Sequence, residues 1–268
     1  MQFQQITSRD NPKIKEASKL AKTPKYRREK GLITCEGKKL CTEMLMENLP
    51  ICTVFFTDEA YNKEKVLIHE LAEQADEIYL VSSSVMEKIS ATKTPQGIFA
   101  ICKPSKKMQE NSTLQAIKTE GRYLCLQKIA DPGNMGTMIR TAAALGLDGL
   151  IITRDCTDVY GEKVVRSAMG SVFKIPIITV DDMAQCVVYL KECRIHVFAA
   201  ALREDSVLPT EIGKAQGGIA VMIGNEANGL TDEVIALADK TVMIPMQNEV
   251  ESLNAAVAAT ICMWEMTR

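Results

Sequence analysis

The run Gly218-Ile219-Ala220-Val221-Met222-Ile223 is apolar at every position, whereas a strand with one wet face would alternate apolar and polar residues. Both faces of such a strand must be covered, and the economical covering is a layer of helices on each side of a mostly parallel sheet. Directly after it comes Gly224-Asn225-Glu226-Ala227-Asn228-Gly229, a strand-end turn whose two glycines permit close approach of backbone to a ligand. Outward from this point, strand-like runs recur at 123–128, 150–153, 175–180, 195–200 and 241–244, with helical stretches between them. The fold class is α/β, and in an open sheet of that kind ligands bind where the strands end.

Toward the N-terminus a second alternating pattern appears. Asn11-Pro12 pairs a capping side chain with proline at the first helical position, and Ile14, Ala17 and Ala21 follow at helical spacing. Strands are expected at 31–35, 51–57, 78–81 and 97–102, with helices near 38–48, 63–76 and 83–91. The polar stretch 103–120 has a proline and a weak helical pattern, so it reads as a connection. The expected organisation is an α/β domain over 1–103, a linker over 104–119 and a second α/β domain over 120–268.

The 268 residues carry a net charge of only −2, but residues 1–40 hold eleven Lys and Arg against four acids. A partner drawn by positive charge meets that end, and phosphate backbones are the obvious candidate, with Arg9, Lys13, Lys15, Lys19, Arg27, Arg28 and Lys38 as contacts. A solvated lysine-rich helix face is the competing reading of the charges alone. Composition excludes other classes. No stretch approaches a membrane span. The two histidines, His69 and His196, lack metal-ligand spacing, and nine cysteines without a CxxC pair fit a reducing cytosol. No GxGxxG, GxxxxGK[ST] or GxSxG motif is present, so neither a metal nor a histidine-based site is expected.

Three polar segments remain at strand ends. In Asp131-Pro132-Gly133-Asn134-Met135-Gly136-Thr137-Met138-Ile139-Arg140, Asn134 is the expected helix cap, and Arg140, nearly two turns on, is expected near the same face. An arginine beside a helix N-terminus is a ready phosphate or oxyanion site; a capped helix with a surface arginine is the alternative. The second segment is 224–229, where Glu226 can receive a positive group or a proton. The third is Ile244-Pro245-Met246 followed by Ser252-Leu253-Asn254 and a small-residue helix for which Ser252 is the expected cap.

In order and wording the three together resemble the SpoU (TrmH) family of RNA ribose methyltransferases, within the SPOUT group. Its NxGxxxR motif reads as Asn134, Gly136 and Arg140, its GNExxG motif as Gly224, Asn225, Glu226 and Gly229, and its IPM and SLN motifs as 244–246 and 252–254. Arg166-Ser167-Ala168-Met169-Gly170-Ser171 resembles the family's serine-rich turn. After Asn254 the family usually has Val-Ser, whereas Ala255-Ala256 stand here. The N-terminal part is similar to the small ribosomal-protein-like substrate-binding domain of many members.

The resemblance implies a deep trefoil knot and a bent S-adenosyl-L-methionine held by Ala200, Ala201, Leu202, Gly224, Asn225, Glu226, Gly229, Ile244, Pro245, Met246, Ser252 and Leu253. It implies a homodimer through the C-terminal domain and transfer of a methyl group to a ribose 2′-hydroxyl of RNA. The two-domain architecture favours ribosomal over transfer RNA. The family's key arginine is Arg140; a guanidinium with pKa above about 12 is a poor proton acceptor, so orientation and charge stabilisation are its expected work. Glu226 is then either the base or a scaffold of the cofactor loop, while Asn134, Ser252 and Asn254 position substrate and loops. A non-catalytic RNA-binding scaffold and a base-modifying enzyme are the competing functions.

Overall fold

Asn11 and Pro12 open a helix as their chemistry dictates: the Asn11 side chain accepts from the Lys13 amide at 2.9 Å, and Pro12 sits in the first turn, where its missing N–H is not needed. That helix, α1 (Pro12–Lys22), buries Ile14, Ala17, Leu20 and Ala21. The computed structural model describes residues 3–92, 94–247 and 252–268, and the chain divides into two units. The first is Met1–Lys106 with Tyr160–Phe173, and the second is Lys107–Val159 with Lys174–Arg268.

In the first unit β1 (Gln4–Ile6) and α1 precede α2 (Pro24–Lys30), β2 (Ile33–Glu36), α3 (Lys38–Met46), β3 (Ile51–Phe56), α4 (Asp58–Lys63), α5 (Lys65–Gln74), β4 (Ala75–Val81), α6 (Ser83–Ile89) and β5 (Ile98–Cys102). The sheet order is β1-β4-β3-β5-β2, parallel through β1, β4 and β3 and antiparallel from β3 to β5 to β2. Its core gathers Phe55, Tyr79 and Phe99 from the sheet with the apolar stripe of α1 and Val85, Met86 and Ile89 of α6. Each such buried side chain contributes about 1.5–3 kcal/mol relative to exposure. The four expected strands form, and β1 and α2 are additions. The helix expected over 63–76 is α5, its last two positions belonging to β4, and α4 is a further addition set off from it where Glu64 leaves helical geometry at φ −126°.

The second unit begins with α7 (Lys106–Glu110), at its boundary, and continues through β6 (Arg122–Leu126), α8 (Pro132–Ala144), β7 (Gly149–Thr153), β8 (Ile177–Val180), α10 (Met183–Glu192), β9 (Ile195–Ala200), β10 (Gly218–Ile223), α11 (Asp232–Leu237), β11 (Lys240–Val242) and α12 (Ala255–Met266). The sheet order is β11-β9-β10-β6-β7-β8 and every pairing is parallel. All six residues of β10 are buried, as a strand covered on both faces requires. The chain steps outward from β6 to β7 and β8, then crosses to β9 on the far side and returns to place β10 between β9 and β6. This reversal beside the central strands leaves a crevice at their carboxyl ends.

Two sequence expectations change here. The stretch expected as a linker is partly built into the second unit, since Leu114 and Ile117 pack on its core around a short 3-10 turn, Leu114–Ala116. Residues 160–173, expected with the C-terminal domain, group with the first unit: α9 (Glu162–Ser167) lies on β2, and Gly170 sits so near Glu43 of α3 that a Cβ there would come within 2.8 Å of its side chain.

Candidate functional site

Loops leaving β9, β10 and β11, together with the start of α12, line a cavity of about 450 Å³ in the second unit. Ala200, Ala201 and Leu202 follow β9; Gly224, Asn225, Glu226 and Gly229 follow β10; Ile244 and Met246 follow β11; Ser252 and Leu253 precede α12. The structure thus brings together every expected cofactor residue except Pro245, which is not among the lining residues. Arg203, Asp232 and one face of α12, Ala255, Ala258 and Cys262, complete the wall. The α12 positions recur at i, i+3 and i+7, a helical-face signal already visible in the sequence. Cys262 is no nucleophile, because burial, aided by Glu265, pushes its thiol up to about 12 and keeps it protonated.

The turn after β10 is closed by its own backbone. Asn225 N donates to Gly229 O at 3.0 Å and Gly229 N to Asn225 O at 2.8 Å, with Gly229 at φ +68°, where a glycine is unstrained. A Cβ on Gly224 would overlap the carbonyl of Gly229 and the nitrogen of Leu230, so only glycine fits. The Asn225 Oδ1 accepts from the amides of Ala227 at 3.0 Å and Asn228 at 3.1 Å, and its Nδ2 donates to Lys128 O at 2.9 Å.

Glu226 ties this turn to the segment after β6. Its carboxylate accepts from the backbone of Ala130 and Asp131, both at 3.2 Å, and from Asn134 Nδ2 at 3.1 Å. Burial alone would raise its pKa, but the bonds from Asn134 and from the backbone of Glu226, Ala130 and Asp131 outweigh that and hold it below the ordinary 4.5. A carboxylate so occupied is a weak proton acceptor. Of the two roles open to Glu226, the geometry favours the scaffold.

Asn134 also accepts from Asn254 Nδ2 at 2.9 Å, so the three motifs meet in one line, Asn254 to Asn134 to Glu226. Neither asparagine lines the cavity; they are tied to it through Glu226. Their capping roles differ from expectation. Asp131, not Asn134, caps α8, its carboxylate accepting from Asn134 N at 2.7 Å. Asn254, not Ser252, caps α12 by accepting from Ala256 N at 2.9 Å and Val257 N at 3.3 Å. Asp131 directly precedes Pro132, the same arrangement as Asn11-Pro12, and proline prefers the first helical position.

Arg140 lies elsewhere. Six residues at about 100° each place it about 120° round α8 from Asn134, not on its face; it is exposed and does not line the cavity. Gln127, which belongs to no sequence motif, is a buried polar residue directly after β6. Its Oε1 accepts from Thr231 N at 3.0 Å and its Nε2 donates to Thr231 Oγ1 at 3.3 Å, fixing the exit of the turn.

In the first unit the expected RNA contacts separate into classes. Arg27 is only 4 % exposed, and its Nη1 donates to the carbonyls of Leu20 and, at 2.7 Å, Ala21. It closes the carbonyl end of α1 and is withdrawn from the RNA-facing set. Lys13 pairs with Glu77 at 2.5 Å, Lys15 with Asp10 at 3.0 Å and Lys38 with Glu64 at 2.8 Å. Lys19 stands over the Tyr26 ring at 3.9 Å. Arg9 and Arg28 are exposed. Among the described residues no group of His, Cys, Asp and Glu is arranged to hold a metal, and no helix is long and apolar enough to cross a membrane.

Comparison with known proteins fits this geometry. The SpoU rRNA Methylase family matches residues 121–264 and the MRM3-like substrate binding domain residues 11–100. The 23S rRNA (guanosine(2553)-2′-O)-methyltransferase RlmP of Bacillus subtilis (strain 168) is 31% identical over 264 residues, covering 98% of this chain and 99% of its own length. The 23S rRNA (guanosine-2′-O-)-methyltransferase RlmB of Salmonella typhi is 31% identical over 204 residues, covering 75% and 83%. Among solved structures, the AdoMet-bound rRNA methyltransferase from Sinorhizobium meliloti superposes with a TM-score of 0.85 at 28% identity, covering 99% of this chain and 98% of that one. On the match over 121–264 and on relatives aligned over nearly the full length, this chain belongs to the SpoU rRNA methylase family.

Proposed function

We propose that the protein is an S-adenosyl-L-methionine-dependent methyltransferase that methylates a ribose 2′-hydroxyl in ribosomal RNA. The observation that carries this reading is the cavity of about 450 Å³ at the ends of β9, β10 and β11, whose Gly224 has no room for a side chain. Pockets for ligands of nucleoside size fall in this range and combine apolar walls with a few fixed polar groups. Here Leu202, Ile244, Met246 and Leu253 supply the apolar wall, and the backbone of 224–229 supplies the polar one. The relatives whose names specify 2′-O-methylation of 23S rRNA, and the AdoMet-bound neighbour, support the same chemistry.

When bound, S-adenosyl-L-methionine supplies a sulfonium methyl carbon open to attack by an oxygen. The chain's own residues do the rest. The turns after β9, β10 and β11 would hold the adenosine portion, with Ser252 and Leu253 completing its wall. Glu226, Asn134 and Asn254 keep those turns in register, so that alignment is set before substrate arrives. Arg140, exposed on α8 and off the cavity wall, would stabilise negative charge developing on the 2′-oxygen only where RNA or a second copy brings it to a cavity.

Three finer features belong to the same proposal. The C-terminal part of the second unit forms a trefoil knot, a reading supported by family membership and by the cavity's use of Ser252 and Leu253 together with three strand-end loops. Two copies associate through α8 and α12, supported by Val257 and Trp264, two turns apart on α12 and 49% and 54% exposed. The protein works in a reducing cytosol, which suits nine free cysteines.

Incubation with methyl-labelled cofactor and ribosomal RNA from a strain lacking this protein, followed by digestion to nucleosides, tests the proposal. Label in a 2′-O-methylated nucleoside supports it. Label on a base would give the base-modifying activity, and no transfer despite RNA binding would give the scaffold.

A further inference from the structure

Among the described residues, four other than glycine have a left-handed backbone: Asn48, Lys128, Met169 and Arg194. Three of them stand in the position after a helix cap, following Glu47 of α3, Ala168 of α9 and Cys193 of α10. Left-handed geometry is the ordinary way for a helix to end. Lys128 is different. It follows strand β6 with φ +57°, where no helix end requires it and where glycine would be unstrained.

Its conformation is fixed from both sides. Lys128 N donates to Thr153 Oγ1 at 3.0 Å, and Lys128 O accepts from Asn225 Nδ2 at 2.9 Å. Thr153 is buried at the end of β7, and Asn225 belongs to the cavity-lining turn. None of these contacts uses the lysine side chain, so glycine would keep both. The side chain is 56% exposed, and its ammonium is 3.9 Å from the Asp155 carboxylate, beyond hydrogen-bond reach. Lys128 is thus a lysine in left-handed geometry whose side chain adds little to the fold, bonded through its carbonyl to the cavity-lining Asn225 and three residues before the α8 cap Asp131.

We infer that Lys128 is a substrate-positioning residue that holds a backbone phosphate of the RNA at the mouth of the site, in the second unit itself and apart from the basic N-terminal arm. This rests on the proposed RNA substrate. Every ribose 2′-hydroxyl in a strand lies beside a phosphate, and an ammonium carried on a backbone position held by Thr153 and Asn225 can engage that neighbour and thereby place the sugar.

The test uses the full chain, with in vitro transcribed, unmodified large-subunit ribosomal RNA and S-adenosylhomocysteine as probes. In Lys128→Gly the thermal midpoint should equal that of wild type or exceed it by up to about 3 °C, since strain is relieved. S-adenosylhomocysteine affinity should stay within about twofold. RNA affinity should fall about tenfold and the slope of log affinity against log salt should lessen by about one unit. Lys128→Arg should retain RNA affinity. The inference is overturned if Lys128→Gly binds RNA with wild-type affinity and slope, or if its loss of RNA affinity is matched by an equal loss of S-adenosylhomocysteine affinity, which would trace the effect to the turn. A wild-type protein that binds neither probe would overturn the proposed function along with it.

Discussion

The side-chain amide of Asn254 donates to Oδ1 of Asn134 at 2.9 Å across 120 positions of sequence, and Asn134 passes the link on to Glu226 at 3.1 Å. One hydrogen-bonded line thus joins the last helix, the first motif and the cavity turn. Asn254→Ser keeps a good cap for α12 but is too short for this link, so it should lose about 1 kcal/mol of stability or less. Its S-adenosylhomocysteine affinity should fall further than stability. A double-mutant cycle of Asn134→Ala and Asn254→Ala, followed by thermal unfolding, should give a coupling of about 0.5–1.5 kcal/mol; strict additivity would deny the link.

The hydrogen bonds on Glu226 fix a pH window. Its folded pKa lies below the ordinary 4.5, so its contribution is fully present above that value and is lost as pH falls through the folded pKa. Cofactor affinity followed by calorimetry should be flat from pH 7 to about 5 and decline only below the mid-4s. A decline setting in near pH 6 would mean a raised pKa and would return Glu226 to the role of base.

Arg27 and Arg28 are neighbours with opposite expected effects. Arg27→Ala removes a buried guanidinium from two carbonyls and should cost about 3 kcal/mol of stability. Arg28→Ala should leave stability within about 0.5 kcal/mol and instead weaken RNA binding and flatten its salt dependence. Thermal melts and salt-dependent RNA titrations of both variants check the pair.

Seven of the nine cysteines are buried, while Cys52 and Cys193 are partly exposed. Native alkylation read by mass spectrometry should therefore label Cys52 and Cys193 first. Early labelling of Cys262, whose thiol is pushed up to about 12, would contradict the closed wall along α12.

Much of the second unit was legible because its signals are local. β10 declares itself by six apolar residues in a row, and the motif residues sit where strands end. Arg140 was misplaced by arithmetic that the sequence allowed, since six helical residues do not return to the same face. Asp131 was passed over as a cap although Pro132 marks it. Other features had no local signal. Nothing in Lys25-Tyr26-Arg27-Arg28 says which arginine turns inward, because that depends on the carbonyl end of α1. The three-residue β1 exists by pairing with β4, whose partner residues lie 75 positions away. The left-handed Lys128 is set by Thr153 and Asn225, from two other strand ends.

One cavity, at the ends of β9, β10 and β11, holds the methyl donor. Calorimetric titration of S-adenosylhomocysteine into wild-type protein and Gly224→Ala, whose added methyl has no room beside Gly229 and Leu230, tests it most directly. Wild type should bind saturably at one site per chain, and the variant at least about tenfold more weakly. Equal affinity in the two proteins, or no heat with wild type, would contradict it.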